Sequence, residues 1–284
     1  MSHYSLRESR IVIRQQVYHI IEWGPKHGRP LLLLHGFLGT AQDFSPIVKR
    51  LRDDRRVIAI DFLGHGKSAA PEDAKRYRMQ HMLRDIVAIL SVKDISSTDI
   101  LGYSMGGRVA LAFTITHAKR VRSLILESAS PGLVTAHLQD IRKKADEVLV
   151  QKMQEKGLPS FVDDWERNSL FESQQGLPST VYAKQRKVRL SHTVKGLAGS
   201  LKGLGTGSQP SYWERLAQID RPVLLVTGSL DTKFTAIAQE MARTLPKVVW
   251  HPVEGVGHNI HLENPKAFVS RILNFLDENG ENRK

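Results

Sequence analysis

The sequence holds no cysteine among its 284 residues, which excludes disulfides, thiolate chemistry and any zinc site built on sulfur. That absence fits a reducing compartment. No stretch approaches the ~18 consecutive apolar residues of a membrane span, and the opening MSHYSLRESR runs into polar residues without an apolar h-region. A soluble, cytoplasmic protein is expected. H-E-x-x-H and Walker patterns are also missing, and GLGTG (203–207) has the wrong spacing for a nucleotide loop and follows a helical pattern, not a strand. HNIH (258–261) sets two histidines three apart, with only Glu263 nearby to join them. No metal and no cofactor is expected.

Positive charge is what the sequence has in excess, with a formal net charge of +12. The basic residues are spread along the chain, and the densest run, KQRKVR (184–189), is not interleaved with aromatics. A nucleic-acid partner is therefore not expected; a small anionic substrate and a solvated basic surface are. Nothing in the sequence demands an oligomer, and a monomer is favoured.

Short apolar runs alternate with helical patterns, as in a parallel sheet with crossover helices. The runs are LLLLHG (31–36), VIAID (57–61), ILGYS (100–104), SLILES (123–128), VLLVTG (223–228) and VVWHPV (248–253), and IVIRQQVYHIIEW (11–23) alternates like an antiparallel hairpin. MQHMLRDIVAIL, GGRVALAFTITH, FTAIAQEMARTL and KAFVSRILNFL carry apolar residues at helical spacing. The alternation stops after Ser128 and resumes near Asp220, and the stretch between reads as several helices without strands. The expected organisation is an α/β core of residues 1–128 and 215–284, with a helical lid, 129–214, inserted over the strand ends. The tail ENGENRK is expected to fray.

Gly102, Ser104 and Gly106 form G-x-S-x-G between an apolar run and a helical pattern, the strand, turn and helix of a nucleophile elbow. A serine hydroxyl needs a histidine to take its proton and a carboxylate to orient that histidine. Asp231 follows VLLVTGSL and His258 follows VVWHPVEGVG, so all three fall at carboxyl ends of expected strands, in the chain order of that elbow. Asp231 also fits an N-cap of the helix that follows. In this architecture the backbone N–H groups of Phe37, after His35 and Gly36, and of Met105, after the nucleophile, converge on a developing oxyanion. His35 is expected to hold its loop, and His65 to be a turn residue. Arg108 raises a question, because the positive end of a helix dipole disfavours a cation in the first turn.

LLLLHGF, DFLGHGKS, GYSMGGR, VTGSLDTKF and GVGHNIHLENP together resemble the α/β-hydrolase superfamily. GYSMGGRVAL, LILESASPGL, DDWERNSLF, LKGLGTGSQPSYW, LDTKF and GHNIHLENP closely resemble one family within it, the 2-succinyl-6-hydroxy-2,4-cyclohexadiene-1-carboxylate synthases of menaquinone biosynthesis, almost end to end. The resemblance implies a lyase that eliminates pyruvate after a proton abstraction by Ser104, assisted by His258 and Asp231. It implies that Arg108, and Arg142 and Arg189 in the lid, bind the carboxylates of a small polycarboxylate substrate, and that Tyr103 and Trp165 line the pocket. Structural ion pairs, solvated helix faces and simple packing are the other readings of these five residues. A carboxylester or carbon–carbon bond hydrolase is the alternative on the same fold, and a non-catalytic binding module a third. The chain departs from the family at Phe62 and Leu63, where Leu-Pro is more frequent, and at His192, where an asparagine is common.

Overall fold

The computed structural model describes residues 6–51 and 54–279. MSHYS, the pair 52–53 and the last five residues of the tail lie outside the described residues. Eight strands form one sheet in the order β1-β2-β4-β3-β5-β6-β7-β8. They are β1 (Arg7–Ile13), β2 (Gln16–Trp23), β3 (Arg29–Leu34), β4 (Arg55–Ile60), β5 (Thr98–Tyr103), β6 (Val121–Glu127), β7 (Val223–Gly228) and β8 (Val248–Val253). β2 pairs antiparallel with β1 and β4, and from β4 onward every neighbouring pair is parallel. Arg14 and Gln15, both at positive φ, make the two-residue turn of the β1–β2 hairpin.

The four-leucine run shows why the strands read as continuous apolar segments. Leu32 and Leu34 enter one core while Leu31 and Leu33 enter the other, because successive side chains point to opposite faces of a sheet covered on both sides. α2 (Met79–Val92), α3 (Met105–Thr116) and α7 (Thr232–Thr244) contribute Met82, Ile86, Val109, Phe113 and Met241 to the first core. α1 (Ser45–Val48) and α9 (Pro265–Glu278) contribute Ile47, Phe268 and Ile272 to the second. A single turn, α8 (Ile260–Glu263), precedes α9.

Between β6 and β7 the chain is helical, with α4 (Ala136–Glu166), α5 (Ser179–Leu190), α6 (Val194–Leu204) and a 3₁₀ segment over 169–176. α4 is broken at Gly157, whose φ of 77° and ψ of 168° are open mainly to glycine, and Pro159 follows. α5 and α6 are separated at Ser191–Thr193, where the Thr193 hydroxyl caps α6 through the Gly196 N–H. Val150, Met153 and Phe161 of α4 and Leu197, Ala198 and Leu201 of α6 form a third, smaller apolar cluster around Leu38, with Phe37 and Trp165 packed against it. The helical segment thereby seats on the loop that follows β3.

Candidate active site

Ser104 terminates β5 and caps α3 with φ 50° and ψ −108°, a strained backbone for a non-glycine residue. That turn brings α3 so close to the sheet that a Cβ on Gly106 would overlap the Leu34 carbonyl, and one on Gly102 the Gly106 carbonyl. Both glycines of the motif are required by space. The Ser104 N–H donates to the Glu127 carbonyl of β6 at 2.9 Å, which ties the elbow to the neighbouring strand.

His258 joins the three strand ends. Its Nε2 lies 3.0 Å from Ser104 Oγ, and its Nδ1 lies 2.7 Å from Asp231 Oδ2. A carboxylate only accepts, so Nδ1 carries the proton and Nε2 is left to accept from the serine hydroxyl. The other oxygen of Asp231 accepts from the Phe234 N–H at 3.1 Å and caps α7, so the residue orients the histidine and starts a helix at once. Glu263 accepts from the backbone N–H groups of Gly257 (2.6 Å) and Asn259 (3.3 Å), holding the loop on both sides of His258. His261 bonds Glu127 at 2.7 Å. The imidazole of His258 is buried and packs against Phe234, Tyr103 and Phe171.

The loop after β3 is pinned by its carbonyls. Gly36 O accepts from His35 Nδ1 (2.7 Å) and from the Gly39 N–H (3.1 Å), and His35 Nε2 accepts from the Phe62 N–H (3.0 Å). In a trans peptide the N–H points opposite to the C=O, so the Phe37 N–H faces away from His35. Met105 opens α3, where the helix leaves its N–H unpaired. Burial pulls the His35 pKa down to about 4, which keeps this anchor neutral.

Arg108 is buried and donates from Nη1 to the side-chain oxygen of Gln209 at 2.7 Å, an amide and not a carboxylate. Burial pulls its pKa down to about 10; the charge of Arg142 adds to the effect and Asp146 opposes it. Arg142 is half-exposed and pairs with Asp146 at 2.8 Å. Arg189 is buried, with Nη1 on Glu166 (2.9 Å) and Nη2 on Gln174 (3.2 Å), and Glu166 also accepts from Tyr182 and Arg186. A cavity of about 1150 Å³ opens between α4, the 169–173 turn and the start of α7. Arg142, Trp165 and Asp231 line it; Ser104, Tyr103, Arg108 and Arg189 do not. Trp165 packs against Phe37 at 5.3 Å and Phe171 at 5.5 Å, and Phe171 in turn lies 6.0 Å from His258.

Several partners escape sequence reasoning. Asp146 lies four residues from Arg142 on one helix and was open to a spacing argument, whereas Glu166 and Gln209 lie 23 and 101 residues from the arginines they hold. No local pattern connects such pairs.

A family model of the α/β-hydrolase fold matches residues 29–265. The chain thus belongs to the α/β-hydrolase fold family. A protein of Bacillus subtilis (strain 168), provisionally named 2-succinyl-6-hydroxy-2,4-cyclohexadiene-1-carboxylate synthase, is 40% identical over 259 residues, which cover 91% of this chain and 94% of the relative. The enzyme of that name from Pectobacterium atrosepticum is 29% identical over 87% of this chain and 93% of its own. The structure of MenH from S. aureus superposes with a TM-score of 0.87 at 33% identity, covering 99% of this chain and 100% of that one. Within the fold family, the chain belongs with these synthases.

Proposed function

We propose that the protein is a carbon–oxygen lyase of menaquinone biosynthesis, converting 2-succinyl-5-enolpyruvyl-6-hydroxy-3-cyclohexene-1-carboxylate to 2-succinyl-6-hydroxy-2,4-cyclohexadiene-1-carboxylate and pyruvate. The relatives named above support the reaction. The observation that carries the residue roles is His258 bridging Ser104 and Asp231 at 3.0 and 2.7 Å.

The hydrogen at C2 of the substrate lies α to the succinyl ketone. Ser104 Oγ takes that proton as His258 takes the hydroxyl proton, and the electron pair moves onto the ketone oxygen. The enolate then collapses: C2=C3 forms, C3=C4 shifts to C4=C5, and the C5–O bond breaks. The departing enolpyruvate accepts the proton now on His258 and ends as pyruvate. Phe37 and Met105 N–H groups stabilise the enolate oxygen. Arg108 and Arg142 hold carboxylates, and Arg189 joins them by exchanging its bond to Glu166 for one to substrate. Tyr103 and Trp165 supply apolar walls, and the helical segment 129–214 is the lid. The proposed setting is the cytoplasm; among the described residues no helix is long and apolar enough to cross a membrane.

The test is pyruvate release by the wild-type protein, by Ser104→Ala and by an enzyme-free control. Release well above the control, falling about 10³-fold in the variant, is expected. Release no faster than the control would overturn the reading in favour of a hydrolase, which would form an acyl-serine with an activated ester.

A further inference from the structure

His192 lies in the turn between α5 and α6 and is buried. It reaches out of the helical segment to two loops of the sheet core. Its Nε2 is 3.0 Å from the Leu38 carbonyl, and the Gly66 N–H donates to its Nδ1 at 3.2 Å. A carbonyl only accepts and an amide N–H only donates, so these partners fix the neutral ring with its proton on Nε2. The ring also stands edge-on to His65 at 5.2 Å.

Leu38 is the residue after the oxyanion donor Phe37, and it is a leucine at φ 61°. Such a backbone persists only where the surroundings over-determine it. Much of what determines it comes from the helical segment: His192 holds its carbonyl, while Val150, Met153, Phe161 and Leu197 enclose its side chain. Gly39 N–H to Gly36 O, at 3.1 Å, closes the same turn from within.

We propose that His192 is a positioning residue that couples the seating of the helical segment to the aim of the Phe37 N–H. The inference rests on the oxyanion role given to Phe37 above. With His192 in place the Leu38 carbonyl is tied back and the Phe37 N–H faces the enolate. Without it the loop relaxes from its left-handed turn and the donor swings off.

His192→Phe keeps an aromatic ring beside His65 but removes both hydrogen bonds. His192→Gln returns a donor at the reach of Nε2. In the phenylalanine variant kcat for pyruvate release should fall about 10-fold, a part of the ~10²–10³ that losing an oxyanion donor costs. KM should stay near wild type, and the unfolding midpoint should fall, because the Leu38 carbonyl and the Gly66 N–H lose their partner. The glutamine variant should recover most of kcat. Amide hydrogen exchange at Gly39 reports the turn without any substrate: protection should drop in the phenylalanine variant and return in the glutamine variant. Unchanged Gly39 protection overturns the coupling whichever reaction the site performs. Lost protection with unchanged kcat overturns the link to the Phe37 donor. A wild-type protein that releases no pyruvate overturns the lyase reading, and the exchange experiment then still decides whether the latch exists.

Discussion

The sheet core and the helical segment between β6 and β7 are built on different forces. In the core the strands β4, β5 and β7 are buried along their whole length, and Ser104, Asp231 and His258 sit on turns fixed by backbone hydrogen bonds, close packing of glycines and neutral imidazoles. The helical segment has one small apolar cluster, a break at Gly157, and Arg142 and Arg189 held by Asp146, Glu166 and Gln174. Rigid placement of Ser104, His258 and Asp231 and adjustable placement of Arg142 and Arg189 are thereby assigned to separate parts of one chain. In the proposed reaction a proton is taken at a fixed point, whereas a polyanionic substrate enters and leaves.

The largest expected effect lies in the core. Asp231→Asn keeps a good N-cap for α7 but no longer fixes the proton of His258 on Nδ1, so kcat should fall about 10³-fold with the thermal midpoint almost unchanged. A matching loss of stability would show that the carboxylate is mainly structural. The counterpart in the helical segment is Glu166→Ala. Glu166 is buried and holds Arg189, Arg186 and Tyr182; Arg186 keeps its pair with Asp163, but leaving the buried Arg189 without its carboxylate should destabilise the protein by about 3 kcal/mol. Denaturant unfolding measures it, and an unchanged midpoint would refute the division drawn here.

Acid should weaken the loops behind the site by a similar amount. His35 is held neutral with its pKa near about 4, and burial lowers His65 and His192 as well. An unfolded histidine titrates near ~6.5, so between these values the unfolded chain binds more protons. Stability therefore falls as the pH drops from about 6.5 toward about 4, by up to about 3 kcal/mol for His35 alone. Unfolding midpoints at pH 7 and pH 5 test the sign. The smallest effect belongs to Arg142→Ala: the guanidinium is half-exposed and already paired with Asp146, so KM should rise about 10-fold, by the loss of one charge-assisted bond, with kcat little changed.

The same contrast governs what the sequence discloses. Period-2 and continuous apolar runs mark all eight strands, because each strand needs only its own residues to show which faces are buried. The elbow, Asp231 and His258 stand out because strand ends are legible and the order of the three is fixed by topology. The helical segment is harder to read. The break at Ser191–Thr193 depends on where α6 docks, the withdrawal of Arg189 depends on Glu166 across the fold, and the latch from His192 to Leu38 spans 154 residues. DFLGHG shows the reverse case: Phe62 and Leu63 depart from the family, yet Phe62 is buried and its N–H meets His35.

The central claim is that Ser104, through His258, removes the C2 proton instead of attacking a carbonyl. Pyruvate release from substrate carrying deuterium at C2, compared with protiated substrate under single-turnover conditions, tests it most directly, with intact-protein mass measured along the same time course. The account predicts a clear primary isotope effect and no mass added to the protein. No isotope effect together with a transient adduct on Ser104 would contradict it.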